Sequence, residues 1–392
     1  MADQNNTQEF IPLMVPRIRG REWEYVKECL DTEWVSSVGP FVDRFEKEFA
    51  QYVGAKFAVA CSCGTAALHV ALQLIGVKAG EEVLVPTLTF ISSVNAIKYL
   101  CAEPVFLDAD RYYNLDPAQL RLFLSGHTEK KEGSLYNRKS GRRIAALLPV
   151  HIFGNAFDPE IFEIAKEFSI PMVEDAAEAL GTKYTAGKYA GRHAGTVGQI
   201  GASSFNGNKI ITTGGGGMIM TNDEALAKKA KYLTTQAKDD EIRFVHHEIG
   251  YNYRMTNVQA AIGVGQLETI EACVQRKREV FAMYREGLKN IPGLSIASEP
   301  AYARNNLWMF GLLVDPKAYG ETREELMQRL SKKKIQSRPV WLPNHMQRPF
   351  AANECLGAKE ATRLWELTLN IPNSVGITND EVTRVIREIA RG

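Results

Sequence analysis

Pro171-Met172-Val173-Glu174-Asp175-Ala176-Ala177-Glu178-Ala179-Leu180-Gly181 is an apolar run that ends on two carboxylates and then passes into small residues. Carboxylates at the end of an otherwise apolar strand are costly to bury without a cationic partner. In an open α/β sheet, ligands collect at the carboxyl ends of the strands, so this stretch predicts both a buried strand and a ligand-facing edge. The same rhythm repeats on either side. Short apolar runs at residues 57–61, 82–86, 104–108, 144–151, 171–175, 202–205 and 217–221 alternate with stretches of helical spacing at 65–75, 159–168 and 223–231. Seven strands with helical crossovers predict one large α/β domain with a mostly parallel sheet.

Residues 19–31 and 41–52 read as two helices ahead of this core. Residues 257–290 read as one long helical stretch, and the remainder mixes a strand-like run at 307–314 with helices at 324–332 and 379–391. The expected division is a large domain with an N-terminal arm over 1–275 and a smaller C-terminal α+β domain over 276–392. Repeats, low-complexity tracts and Gly/Ser linkers are absent from the sequence.

Lys plus Arg total 47 against 46 for Asp plus Glu, which leaves no excess positive charge for a nucleic acid or an anionic membrane. The opening MADQNNTQEF lacks the basic and apolar regions of a secretory signal, and no apolar run approaches the ~18 residues of a membrane span. A cytoplasmic protein is expected. Six scattered cysteines form neither a disulfide framework nor a zinc framework, so reduced thiols in core positions are expected and no metal. Cys61 with Cys63, and His246-His247-Glu248, read as burial and surface respectively, since neither set has the spacing of a ligand group.

Four segments carry the candidate chemistry. In Cys61-Ser62-Cys63-Gly64-Thr65-Ala66, a strand turns into a helix whose free N–H groups, with Thr65, suit a phosphate, although a Gly-Thr helix start is more commonly a plain cap. Asp175 suits a protonated pyridine nitrogen, or a helix cap. Ser203-Ser204-Phe205-Asn206-Gly207-Asn208-Lys209 is followed, after four residues, by the glycines 214–217. Lys209 there is either a Schiff-base lysine or a solvated surface residue. Pro86-Thr87-Leu88-Thr89-Phe90 presents a ring to stack on a flat cofactor, or to pack in the core.

Together and in this order, the four segments resemble the sugar aminotransferases of the DegT/StrS family. The likeness runs from Ile11-Pro12-Leu13 and Thr32-Glu33-Trp34-Val35-Ser36-Ser37, through Pro149-Val150-His151-Ile152-Phe153-Gly154, to Ile371-Pro372-Asn373-Ser374. The resemblance implies the fold-type I architecture of pyridoxal-phosphate transferases. It implies pyridoxal 5'-phosphate as cofactor, with the pyridoxamine form in the half-reaction and Lys209 as the lysine that holds it. Asp175 then meets the pyridine nitrogen, Phe90 stacks on the ring, and Gly64, Thr65 and Ser204 hold the phosphate. Glu178 stands near the ring oxygen, where many members carry Gln or His. Gly250-Tyr251-Asn252-Tyr253-Arg254-Met255-Thr256 resembles the segment that reaches a neighbouring subunit's phosphate through Asn252, which implies a homodimer with shared sites.

Glu178, the 32–37 opening, Asn305-Asn306-Leu307-Trp308 and Arg338-Pro339-Val340-Trp341-Leu342-Pro343-Asn344-His345 look most like the 4-aminotransferases of the legionaminic acid, bacillosamine and perosamine pathways. The resemblance places Trp34, Asn306, Trp308 and His345 at the substrate. It implies amino transfer from an amino acid, glutamate in most relatives, to C4 of a 4-keto-6-deoxy nucleotide sugar for bacterial surface glycans, with a leaning to a UDP-linked 2-acetamido sugar. Other readings are a GDP-perosamine-type synthase, a 3-keto sugar aminotransferase, or a dehydratase using the pyridoxamine form, against which Lys209 stands. A non-catalytic sugar-nucleotide sensor is the reading from a different class.

Overall fold

The alternating runs resolve into helices α1 (Glu22–Asp31) and α2 (Pro40–Val53), strand β1 (Phe57–Cys61), α3 (Gly64–Leu74), β2 (Glu82–Pro86), α4 (Ile91–Tyr99) and β3 (Glu103–Leu107). There follow α5 (Pro117–Gly126), the hairpin β4 (Thr128–Lys131) and β5 (Ser134–Asn137), β6 (Ile144–Leu147), α6 (Glu160–Glu167) and β7 (Val173–Asp175). The large region closes with β8 (Lys183–Tyr184), β9 (Ile200–Ser204), β10 (Gly217–Thr221), α7 (Glu224–Thr234) and α8 (Asn257–Leu267). The structure, a computed structural model, describes residues 9–240 and 242–391. Residues 1–8, most of the polar opening read above, lie outside them.

β2 pairs in parallel with β3 and β6, and β7 in parallel with β9. Two parallel bridges, Leu147 to Met172 and Val150 to Asp175, join these halves, so the seven expected strands lie in the order β3-β2-β6-β7-β9-β10-β1. Only β10 runs against its neighbours. No helix lies between β9 and β10, and a parallel pair needs a crossover. Alternate side chains of the strands feed two layers. Val59, Val83, Val85 and Ile219 pack under α3, α4 and α7. Ala60 and Met218 meet α2 and α8, and Leu84 and Val105 meet α5 and α6.

Beyond residue 267 come α9 (Ile270–Leu288), β11 (Leu294–Ile296), β12 (Ala303–Arg304), β13 (Gly311–Val314), α10 (Pro316–Tyr319), α11 (Arg323–Lys332), β14 (Arg338–Pro339), β15 (Cys355–Leu356), α12 (Lys359–Leu367), β16 (Thr368–Asn370) and α13 (Asn379–Ala390). An antiparallel sheet β11-β13-β16-β14 packs on α9, α11 and α13.

Several expectations change. The helical stretch 257–290 is two helices, broken at Glu268 and Thr269, where the Thr269 hydroxyl donates to the Gln266 carbonyl. Strand 144–151 stops at Leu147 because Pro149 has no N–H to pair. Strand 307–314 keeps only its second half: residues 305–310 form a buried irregular segment with Leu307 at φ 55°. Two of the cysteines expected in the core, Cys63 and Cys101, are exposed, and Cys63 caps α3 by accepting from the Ala66 amide. Among the described residues, three pairings also cross residue 275, one of them β12 running antiparallel to β8. Ile11 bridges Ile335, and β15 adds in parallel to the outer edge of β3.

Candidate active site

Four strand ends meet over the carboxyl edge of the sheet and enclose a cavity of about 500 Å³. The turn from β1 into α3 brings Gly64 against β9; a Cβ on Gly64 would stand 2.7 Å from the Ser204 Cβ, so only glycine lets the two strand ends close. The first amides of α3, Thr65 and Ser204 thus share one wall, a cradle at a helix N-terminus. From the end of β2, Phe90 lines the cavity with its ring half-exposed and 5.8 Å from that of Trp341.

Asp175 ends β7. Its Oδ2 accepts from the Ser93 hydroxyl at 2.6 Å and its Oδ1 from the Ala177 amide at 3.0 Å. Burial pushes its pKa up, against the pull of those two hydrogen bonds, so the carboxylate is under-compensated and suited to a cation. Glu178, on the turn after it, accepts from the Phe153 amide at 2.9 Å and faces the Lys209 Nζ at 3.2 Å. Burial raises the Glu178 pKa, with Lys209 opposing. Lys209 comes from the loop between β9 and β10. Its Nζ lies 4.2 Å from the centre of the Trp308 ring, and the Trp308 Nε1 donates to the Asn208 carbonyl at 2.6 Å. An ammonium over an indole face is an attractive contact.

Gly64, Thr65, Phe90, Asp175, Glu178, Ser204, Lys209 and Trp308 therefore line one cavity. Four expected residues do not. Asn306, assigned to substrate, is fully buried behind the wall: its Nδ2 donates to the carbonyls of Glu178 and Leu180, and its Oδ1 accepts from the Trp308 amide. With every polar atom engaged, it is a bracket joining the Glu178 turn to the Trp308 segment. Gly154, at φ 81°, leaves room for it, since a Cβ there would overlap the Asn306 Oδ1. His345 sits beneath the end of β2, its Nδ1 2.7 Å from the Thr87 hydroxyl, and burial lowers its pKa. Trp34 is exposed and Asn252 is exposed, both outside the cavity of their own chain. The Asn252 Oδ1 accepts from Arg254, while Tyr251 and Tyr253 stack at 4.9 Å and pin the segment beside His69 of α3.

Ser93, which holds Asp175, was not singled out in the sequence. Its only signal is a hydroxyl in the first turn of an apolar helix, Phe90-Ile91-Ser92-Ser93-Val94. Arg338 and Trp341 also line the cavity, in a stretch quoted above without individual roles.

The family model described as the DegT/DnrJ/EryC1/StrS aminotransferase family matches residues 16–390. The chain belongs to this family. The GDP-perosamine synthase of Caulobacter vibrioides is 39% identical over 379 residues, covering 96% of each chain. The GDP-perosamine synthase of Escherichia coli O157:H7 is 37% identical over 382 residues, 97% of this chain and 98% of its own. Among solved structures, the aminotransferase TlmJ of Streptoalloteichus hindustanus superposes with a TM-score of 0.87 at 27% identity over 98% of both chains. DesI with its TDP-sugar product gives 0.85 at 27% identity over 98% of this chain and 93% of that one. The fold is accordingly fold-type I, and the chain is a pyridoxal-phosphate-dependent aminotransferase. The residues present fit the cofactor: a cradle that a Cβ at Gly64 would fill, a buried carboxylate short of a cation, and a lysine in the same cavity.

Proposed function

We propose that this member of the family moves an amino group from an amino acid, glutamate first among candidates, to C4 of a 4-keto-6-deoxy nucleotide sugar. The observation that carries the reading is the convergence of Lys209, Asp175 and Glu178 in one cavity with the Gly64–Ser204 cradle. Pyridoxal phosphate, when bound, would supply the electron sink for the transfer.

The chain's own residues do the rest. Lys209 would hold the cofactor through its Nζ, and that amine, when free, would serve to take up and return a proton. Asp175, held by Ser93, would keep a proton on the cofactor's pyridine nitrogen. The α3 amides with Thr65 and Ser204 bind the phosphate, and Phe90 and Ala177 line the cavity where a flat ring would lie. Glu178 pairs with Lys209 and so orients it. Trp308 covers Lys209 and limits water. Trp34 and Asn252, outside their own cavity, suit a neighbouring copy, so the active form is a homodimer with shared sites. His345 supports the end of β2 rather than touching the sugar.

Regarding the nucleotide, the names of the two relatives above favour a GDP-linked sugar, while the motif-level leaning is to a UDP-linked 2-acetamido sugar. Amine transfer from glutamate, compared by kcat/KM across GDP-, UDP- and dTDP-linked 3-keto and 4-keto sugars, decides. A 3-keto sugar as best acceptor would overturn the C4 assignment. Among the described residues no helix is long and apolar enough to cross a membrane, and we place the enzyme in the cytoplasm, where nucleotide sugars are made. The domain division is proposed near residue 275. There α9 leaves the core of the large sheet, with Cys273 and Val274, and enters that of the small one, with Val280 and Tyr284.

A further inference from the structure

Lys277, on α9, is a fully buried lysine, 1% exposed, and among the described residues no carboxylate pairs with it. Burial holds its pKa well below the ordinary value, and such a group is retained only where its hydrogen bonds compensate. Three acceptors surround the Nζ: the Trp308 carbonyl at 2.8 Å, the Asn373 carbonyl at 2.6 Å and the Asn373 Oδ1 at 2.9 Å. Three acceptors match the three donors of an ammonium.

Each acceptor leads to the cavity wall. Trp308 lies over Lys209. Asn373 donates its amide to the Leu13 carbonyl, and Leu13 lines the cavity. The neighbouring Arg278 pairs with Glu299 and donates to the Asn305 carbonyl at 3.0 Å. Two consecutive residues of α9 thereby hold two carbonyls of the irregular 305–310 segment, which carries Leu307 at a positive φ. A bulky residue in that conformation persists only where its surroundings over-determine it.

We infer that Lys277 is a positioning residue of the transfer reaction: it fixes the Trp308 carbonyl, and through it the indole that covers the Lys209 amine. The inference rests on Lys209 being the reacting lysine, and its test includes a measurement that does not depend on that assignment. In the cofactor-free chain, acetic anhydride labelling of Lys209, read by mass spectrometry against the exposed Lys228, reports how well the amine is covered. Lys277→Met should label at Lys209 at least ~3-fold faster, because the wall opens locally. In the loaded enzyme, kcat should fall by about tenfold, with KM moved less than about twofold, since a small misplacement near the reacting atoms acts on turnover. In a Trp308→Phe background the Lys277→Met change should add little to either readout. Unaltered labelling and turnover in a folded Lys277→Met chain, or full additivity with Trp308→Phe, would overturn the inference. If Lys277→Met fails to fold, Asn373→Ser takes its place, with faster labelling at Lys209 expected and unchanged labelling overturning it. Failure of Lys209 to hold cofactor in the wild type would instead remove the reading beneath it.

Discussion

Lys209 and Asp175 sit in the same cavity but depend on different neighbours, so their substitution should separate anchoring from electronics. Lys209→Ala removes the amine without opening a void in the core. Turnover should fall by roughly 10²–10⁴-fold or more, with the fold unchanged by circular dichroism. In the wild type, borohydride should bleach the visible cofactor band and leave the label on the Lys209 peptide; a label elsewhere refutes the role. Asp175→Asn keeps the shape and the Ser93 contact but no longer holds the pyridine nitrogen protonated, so cofactor should be retained while kcat drops by about 10²-fold. Near-normal turnover would make Asp175 a cap and nothing more. Both residues drew notice because they follow strand-like runs, where ligands gather in an α/β sheet, and the structure brings them into one cavity; their roles came from the family resemblance. Asn306 was misplaced for a physical reason: a polar side chain beside a site looks the same in sequence whether it faces the ligand or ties backbone behind it.

At the scale of elements, the cradle depends on β1, α3 and β9 closing around Gly64. Gly64→Ala forces a Cβ onto Ser204, and overpacking of this kind costs about 1–3 kcal/mol. Cofactor retention on dialysis should weaken, whereas Gly126→Ala, which meets nothing within 4 Å, should leave it unaltered. Another expectation follows from the turn after Glu178. His193 is buried, its Nε2 accepts from the Gly181 amide at 3.0 Å, and burial lowers its pKa to about 4. The unfolded chain takes up a proton near pH 6.5, before the fold does. The stabilisation is therefore complete above pH 6.5 and drains away as pH falls from 6.5 to about 4, by up to about 3 kcal/mol. Urea midpoints across that range should show the loss, and His193→Gln should flatten it; an equal slope in both proteins would exclude His193. All seven main strands were readable from apolar runs because they are buried on both faces or nearly so. The two-residue strands β8, β12, β14 and β15 were not, since such pairings are dictated by tertiary neighbours and leave no periodicity.

For the whole molecule, the proposed homodimer would bring a second copy's cavity to the exposed Asn252 and Trp34. Mixing the inactive Lys209→Ala chain with an inactive Asn252→Ala chain should restore about one working site per heterodimer. No recovery despite proven exchange of subunits, or an active monomer by light scattering, would refute sharing. One further consequence concerns synthesis on the ribosome. The outer edge of β3 is an apolar strand whose partner, β15, is encoded near the other end of the chain, and the Phe106 amide waits for the Glu354 carbonyl. An emerging polypeptide therefore holds an unpaired strand edge, the kind of surface that templates aggregation, until residues 354–356 leave the exit tunnel. Chains interrupted before that point should depend on chaperones for solubility far more than the finished protein does, and premature stops there should deposit as inclusion bodies rather than persist as a working large domain.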